Sequence, residues 1–210
     1  MSEFSFTNQW FDTVARRGWD ELIPQFNPTK ILEIGSYEGA STCYLIDKLK
    51  DLPQPLDIHC VDSWEGGEEH VRDGTDMGEV EARFQNNVRL AVERAGGRAS
   101  VVAHKGYSDM ALASMLATGR KNTFDFAYID GSHQAPDVLC DAVLAFKLVR
   151  VGGVIAFDDY VWAEAMPYGK DPLRCPKPAI DAFVNIHFRK VQILSPTVPL
   201  YQLYIQKLSD

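Results

Sequence analysis

The stretch that most constrains the fold runs from Lys30 to Ser41, with the sequence KILEIGSYEGAS. A short apolar run around Glu33 leads into Gly35 and Gly39, and helical periodicity begins directly after them. Because glycine has no Cβ, the backbone turns sharply there and a ligand can approach it closely. The following helix directs its first N–H groups and the positive end of its dipole at the turn. The pattern therefore predicts a cradle for a nucleotide-like ligand at the carboxyl end of a strand.

A second acid narrows the kind of ligand. Asp62 ends the apolar run Leu56–Val61, and nucleotide-binding folds place an acid that holds ribose hydroxyls roughly 20 residues beyond the turn. The glycine spacing is G-x-x-x-G, whereas dinucleotide enzymes carry G-x-G-x-x-G and P-loops continue into Gly-Lys-Ser/Thr. An NAD(P)-dependent oxidoreductase shares the cradle and stays as an alternative, although its glycine turn is missing.

Composition excludes several broad classes. Hydrophobic residues make up 46% of the 210 residues, and the formal net charge is −8. We expect one globular domain over residues 1–210, with 1–27 as a helical cap and 160–178 as a loop on the substrate side. The acidic balance argues against a nucleic-acid partner. No apolar run approaches the ~18 residues of a membrane span. The four cysteines form no C-x-x-C pair, which argues against structural zinc and favours a cytoplasmic protein.

Strand and helix patterns alternate along the chain. This alternation predicts an α/β, Rossmann-like fold with a seven-stranded, mostly parallel sheet, an antiparallel C-terminal strand and helices on both faces. We expect Pro24 and Pro28 to end the first helix, Ser108 to cap the helix over 109–117, and Gly152-Gly153 to break the helix over 136–149. Ser63–Gly78 is predicted to be irregular, as a mobile flap or a surface excursion. The predicted strands cover residues 31–34, 56–61, 99–103, 124–129, 154–157, 191–194 and 200–205.

Carboxylates follow two neighbouring strands at their carboxyl ends. Asp130 follows one strand, and Asp158 and Asp159 follow the next. Because such ends meet at one edge of a sheet, three acids would repel one another unless a counter-charge is present. Carboxylate oxygens are the ligands that Mg²⁺ or Mn²⁺ prefers. The sequence thus favours a metal site, while helix capping and loop hydrogen bonding by the three acids stay as the alternative.

Several short motifs together resemble one family. The segment LEIGSYEGAS resembles motif I of the class I S-adenosylmethionine (SAM) dependent methyltransferases, of the catechol O-methyltransferase type. The resemblance continues in residues 101–109, in FDFAYIDGSH and in GGVIAFDDY, and extends to O-methyltransferases that act on macrolide sugars. It covers about residues 30–160 and implies SAM as the cofactor and a small hydroxylated molecule as the acceptor.

The resemblance also implies roles for individual residues. Asp62 would accept the ribose hydroxyls, Asp130 would be a metal ligand close to SAM, and Asp158 and Asp159 would complete the metal site. His133 stands where the catechol type has a lysine base, and a histidine is well matched to take a proton near neutral pH. The remaining predicted cofactor residues line the three turns that would face SAM: Glu33, Gly35, Ser36, Tyr37, Gly39, Ser41, Ser63, Gly106, Ser108 and Asp109.

Two further alternatives stay open at this point. One is a methyltransferase that needs no metal, and the other is a SAM-binding module without catalysis. The acceptor would be read by Trp64–Gly78, Tyr160–Lys177 and the N-terminal helix, whose aromatics either pack on the sheet or line the cleft. Trp64, Trp162 and Tyr168 are candidates to stack on a sugar or catechol-like ring. The antiparallel C-terminal strands offer a face for a homodimer.

Overall fold

The computed structural model of the protein describes residues 3–164, 166–196 and 201–210, apart from the side chains of Glu68 and Glu69. The helices are α1 Trp10–Val14, α2 Arg16–Phe26, α3 Ala40–Leu49, α4 Glu68–Asp73, α5 Met77–Arg94, α6 Ser108–Ala117, α7 Ala135–Leu148 and α8 Lys177–Ile186, with a 3₁₀ turn at Pro172–Arg174. The strands are β1 Lys30–Ile34, β2 Leu56–Asp62, β3 Ala99–Lys105, β4 Phe124–Ile129, β5 Val149–Phe157, β6 Val191–Leu194 and β7 Leu203–Lys207.

All seven strands belong to one sheet, in the order β3-β2-β1-β4-β5-β7-β6. The first five pair in parallel, β7 pairs antiparallel with β5, and β6 pairs antiparallel with β7. Ile34 pairs with Val61 on one side and with Ile129 on the other, so the carboxyl ends of β1, β2 and β4 are level. From β1, the chain adds β2 and β3 on one side and then β4 and β5 on the other. The switch point therefore lies between β1 and β4, and ligands bind at such points in open α/β sheets. The predicted fold class is confirmed.

Buried side chains cover both faces of the sheet. Successive residues of β1 enter different clusters, with Ile31 in one and Leu32 in the other, as the twofold period of a strand requires. The fully buried Trp19 of α2 packs edge-on against Phe126 and Tyr128 of β4. The N-terminal helical region therefore packs on the sheet.

Among the described residues, no helix has the length and apolarity that crossing a membrane requires.

Two predicted boundaries, one at a proline and one at a pair of glycines, are wrong. Pro24 lies inside α2, which ends instead at the left-handed Asn27, because the buried Trp19, Leu22 and Ile23 of α2 anchor this helix to the core. Gly152 and Gly153 lie within β5, since that strand begins at Val149, directly after α7. A proline does not end a helix, nor a glycine a strand, when the packing of the residues on both sides favours its continuation.

One loop and one helix cap also differ from expectation. Residues 63–78 contain the short helix α4, between Gly67 and a left-handed Gly74, and six residues are too few to show helical periodicity. Ser108 is the first residue of α6 and not its cap, since Tyr107 holds the N-cap position without a side-chain hydrogen bond. The predicted strand 200–205 begins at a residue outside the described part of the chain, which shows β7 from Leu203.

A buried acid joins α6 to α7. Asp141 of α7 is only 1% exposed, and its carboxyl group interacts with Ser108. Burial, followed by repulsion from Asp137 and Asp109, raises the pKa of Asp141 to about 7. The folded state therefore binds this proton more tightly than the unfolded chain, in which aspartates titrate near ~3.9. Asp141 thus makes the fold less stable as the pH rises from about 4 to about 7.

We expect Asp141→Asn to raise the Tm at pH 8 by roughly 3–8 °C. The gain should shrink steadily toward pH 5, because the wild-type carboxyl group is then protonated and neutral like the amide. Thermal melts of both proteins from pH 5 to pH 8 measure this difference. Two parallel curves would contradict the assignment of the titration to Asp141.

Candidate functional site

The turn after β1 lies against the end of β4. Gly35 adopts a left-handed φ of +83°, and a Cβ at this position would lie 2.0 Å from the carbonyl oxygen of Asp130. Tyr37 (φ +48°) and Gly39 (φ +81°) are left-handed as well. Gly39 occupies the N-cap position of α3 and offers no side chain to cap it. A helix N-terminus of this kind, reached through a glycine turn, suits an anionic group such as the carboxylate of a methionine moiety.

The buried carboxylate of Glu33, in β1, supports this turn. Glu33 is 0% exposed and accepts hydrogen bonds from the hydroxyls of Ser36 (2.6 Å), Ser41 (2.5 Å) and Thr42 (2.5 Å). Burial raises the pKa of Glu33, and these hydroxyl donors oppose that rise. The hydroxyls of Ser36 and Ser41 are thus used inside the protein, where they hold the shape of the turn. Sequence reasoning missed Thr42, although its place directly after Ser41 was a usable signal.

Asp62 holds the same turn from the side of β2. Its Oδ2 accepts the backbone N–H groups of Ser36 and Tyr37, both at 2.9 Å, and its Oδ1 accepts the N–H of Trp64 at 2.7 Å. Its backbone carbonyl accepts the N–H of Gly106 at 2.9 Å. The residue predicted to bind ribose therefore also shapes the loops after β1, β2 and β3. Its contact with ribose stays a prediction.

The turn after β3 reaches the same edge of the sheet. Lys105 pairs with Asp62 across β3 and β2, and this pairing brings Gly106 alongside the β2 loop. Ser108 interacts with the buried Asp141, while the exposed Asp109 accepts the N–H of Met110 at 2.7 Å. In the β2 loop, the hydroxyl of Ser63 accepts the N–H of Glu65 at 3.1 Å. The predicted residues around the adenine are thus close together, with Ser108 already engaged.

The three candidate aromatic residues for the acceptor have different environments. Trp64 is 6% exposed, packs on Phe84 and donates its indole N–H to the carbonyl of Tyr37 at 3.0 Å, so it belongs to the core. Tyr168 is fully exposed. The ring of Trp162 lies against that of His133, with the ring centroids 4.1 Å apart and the planes tilted by 36°. Of these three aromatic residues, Trp162 is the one that lies beside the candidate base His133.

Two of the acids share a tyrosine. The hydroxyl of Tyr128 is hydrogen-bonded to Asp130 Oδ2 at 2.9 Å and also to Asp158 Oδ2. Burial and repulsion between the acids raise the pKa of Asp130 well above its usual range and that of Asp158 to about 6. One hydroxyl proton cannot serve two carboxylates at once, so this arrangement favours the protonated form of one of the acids.

The third acid forms a pair with the candidate base. Asp159 is left-handed (φ +54°), and its Oδ2 lies 2.8 Å from His133 Nε2. The ring of Trp162 packs against the same imidazole. A small cavity brings together the ends of β4 and β5, and it is lined by Ile129, Asp130, Ser132, His133, Val138, Phe157, Asp158, Asp159 and Pro176.

The carboxylate oxygens of the three acids suit a metal ion, but their positions in the structure do not. Asp130, Asp158 and Asp159 provide the oxygen ligands that Mg²⁺ prefers. Yet within the described ranges no group of three or more His, Cys, Asp or Glu side chains is placed to hold a metal ion. Tyr128 stands between the first two acids, and His133 engages the third. Each of the three acids is thus engaged within the protein, and a metal ion held by them stays a prediction.

Two of the curated relatives carry the name caffeoyl-CoA O-methyltransferase. A "Probable caffeoyl-CoA O-methyltransferase 3" from Dictyostelium discoideum is 24% identical over 141 residues, which cover 67% of this chain and 47% of that protein. The chain spans about half the length of the curated relatives it matches.

Solved structures share the fold. The O-methyltransferase TomG from Streptomyces achromogenes, which is involved in tomaymycin synthesis and was crystallised with SAM, superposes with a TM-score of 0.64 at 20% identity, covering 100% of this chain and 84% of TomG. CalS11, a TDP-rhamnose 3'-O-methyltransferase of calicheamicin biosynthesis, superposes with a TM-score of 0.61 at 14% identity, covering 93% of this chain and 77% of CalS11.

The family assignment rests on the sheet and its turns. Residues 32–160 match the family described as "Methyltransferase domain". This range begins in β1 and ends just beyond Asp159, so it includes the glycine turn, Asp62 and the acids at the ends of β4 and β5. The resemblance seen in the sequence is confirmed, and the chain belongs to the methyltransferase-domain family.

Proposed function

We propose that the protein transfers a methyl group from SAM to a hydroxyl oxygen of a small molecule. The observation that carries this proposal is the closeness of the two halves of the site. The glycine turn meets the backbone of Asp130, which begins the loop containing His133. A donor held by the turn would thus lie beside the acids and the imidazole. The SAM complex of TomG supports the choice of cofactor.

The acceptor is proposed only as a chemical class. The names of the relatives include a caffeoyl-CoA enzyme and a TDP-rhamnose enzyme, in which the methylated hydroxyl belongs to an aromatic ring and to a sugar. Both are small hydroxylated groups. We assign such a group to the space beside Trp162 and His133, because that indole lies against the imidazole.

The chain's own residues would divide the work as follows. The backbone of residues 35–39 would hold the methionine end of SAM, Asp62 the ribose, and the turn from Gly106 to Asp109 the adenine. Bound SAM would supply a methyl group on a positively charged sulfur. Asp159 would accept the Nε2 hydrogen of His133 and fix the ring, so that the other nitrogen takes the proton that leaves the acceptor hydroxyl. The products are a methyl ether, S-adenosylhomocysteine (SAH) and a protonated imidazole, which balances the charge.

Metal assistance is the second candidate. The buried acids Asp130 and Asp158, whose pKa values are raised, favour it because a cation would relieve their repulsion. Binding would require the Tyr128 hydroxyl to give up its place between them. Turnover that EDTA abolishes and Mg²⁺ restores would support this candidate, and turnover that EDTA leaves unchanged would remove it.

Calorimetric titration of SAH tests the cofactor. We expect micromolar binding that Asp62→Ala weakens at least roughly tenfold, because the variant loses the anchor of two turn N–H groups as well as the ribose acceptor. Asp47→Ala is the matched control, since Asp47 is exposed near the far end of α3. No SAH binding to the wild type would overturn the proposal, and binding of NADH instead would favour the oxidoreductase.

The remaining predictions concern partners and location. A cytoplasmic protein, a homodimer through the C-terminal strands and the lack of a nucleic-acid partner stay predictions from the sequence. A protein that binds SAH but methylates no acceptor would be the non-catalytic module.

A further inference from the structure

A buried carboxylate holds the turn after β1 from its outer side. Glu38 is 2% exposed and lies between the left-handed Tyr37 and Gly39. Its Oε2 accepts the N–H of Thr7 at 2.7 Å, and its Oε1 accepts the hydroxyl of Thr7 at 2.8 Å and Nε of Arg83 at 2.5 Å. None of these contacts belongs to the methyl-transfer site.

A buried amide extends the same network. Asn87 of α5 is 0% exposed. Its Nδ2 donates to the carbonyls of Ser5 (2.9 Å) and Glu38 (3.0 Å), and its Oδ1 accepts the N–H of Ser5 at 2.8 Å. Residues 5–10, here called the N-terminal strap, are thus tied to the turn at two points. Trp10, at the end of the strap, packs on the ring of Tyr37 with the centroids 5.3 Å apart.

The network supports a conformation that is costly by itself. A non-glycine residue in the left-handed region, such as Tyr37, costs roughly 1–3 kcal/mol and persists only where the surroundings enforce it. Asp62 holds the N–H groups of Ser36 and Tyr37 from the inner side. On the outer side, the side chains of Trp64 and Asn87 cap the carbonyls of Tyr37 and Glu38. The carboxylate of Glu38 then joins the turn to the strap.

We propose that Glu38 is a positioning residue that couples docking of the N-terminal strap to the geometry of the cofactor turn. This inference rests on the proposed function, because it makes SAH the ligand of that turn. Docking of the strap favours the left-handed Tyr37, and a turn fixed by SAH favours the docked strap. Such coupling is reciprocal, so each partner stabilises the other by the same free energy.

The amides of the strap provide a direct readout. The N–H groups of Ser5 and Thr7 donate to side chains in this network, at Asn87 and Glu38. We expect saturating SAH to slow hydrogen exchange of both amides severalfold. The amide of Asn122, which donates to the carbonyl of Lys147, is the internal control and should not change. The measurement uses the full chain and NMR or fragment-resolved mass spectrometry.

Thr7→Val tests the reverse direction. The variant keeps the shape and the amide of Thr7 but removes one hydrogen bond to Glu38. We expect a three- to tenfold weaker SAH affinity, which is about 0.7–1.4 kcal/mol, together with a smaller effect of SAH on exchange at Ser5. Thr123→Val is the matched control, since Thr123 precedes β4 at the amino ends of the parallel strands and its hydroxyl donates to the carbonyl of Lys121. Glu38→Gln should weaken SAH binding more than Thr7→Val does.

The outcomes separate the inference from the proposed function. If wild type and Thr123→Val bind SAH, but SAH does not change exchange at Ser5 and Thr7 and Thr7→Val binds SAH normally, the strap is merely structural and the inference is overturned. A variant with a lower Tm and unchanged affinity leads to the same conclusion. If the wild type does not bind SAH, the proposed function fails and the coupling fails with it.

Discussion

Gly35→Ala is expected to abolish SAH binding and to destabilise the fold by roughly 3–5 kcal/mol. The added Cβ would lie 2.0 Å from the carbonyl oxygen and 2.5 Å from the carbonyl carbon of Asp130. Both are backbone atoms at the end of a central strand, so no side chain can rotate away to make room. The left-handed φ of +83° adds strain to the clash. Relief requires the turn to move away from β4, which separates the cofactor cradle from the acids.

Gly119→Ala is the matched control for this prediction. Gly119 has nearly the same φ, +87°, but a Cβ there would meet nothing within 4 Å. The control therefore carries only the conformational strain, of about 1–2 kcal/mol. Thermal melting and SAH titration of both variants measure the difference. If Gly35→Ala melts like Gly119→Ala and still binds SAH, the turn does not approach β4 as closely as described.

The parts of the site that could be predicted are those fixed by strand ends. Asp62, Asp130 and Asp158 each follow an apolar run, and the carboxyl ends of parallel strands lie on one edge whatever the side chains do. The same reasoning gives the order of strands and helices. Gly35 was also predictable, because a missing Cβ within a strand-to-helix turn signals a close approach.

The parts that escaped prediction depend on contacts between distant segments. Ser5 and Asn87 are 82 positions apart, and nothing local pairs them. Glu38 looks in the sequence like a solvated turn residue, although it is buried. Tyr128 reads as one more aromatic residue in a core strand. Its position two residues before Asp130 was the available signal, since alternate residues of a strand lie on one face.

His133→Ala is expected to lower methyl transfer by about 10²–10⁴-fold while SAH affinity stays within about twofold. The imidazole lies between Asp159 at 2.8 Å and Trp162 at 4.1 Å, on the loop after β4 and not on the glycine turn. Asp159→Asn should give a smaller loss, because the amide still occupies the place of the carboxylate but no longer stabilises the protonated ring. Labelled methyl transfer to caffeoyl-CoA and to a nucleotide-linked hexose measures turnover.

His187→Ala is the control for the removal of an imidazole, since that ring stacks on Phe183 in α8, away from the acids. Retained turnover in His133→Ala would show that the proton leaves by another route, and the shared site of Tyr128, Asp130 and Asp158 would be the next acceptor to test. Loss of SAH binding together with turnover would instead make His133 a structural residue. The chelator comparison in the same assay separates these routes from metal assistance, because only a cation among the three acids makes turnover depend on Mg²⁺.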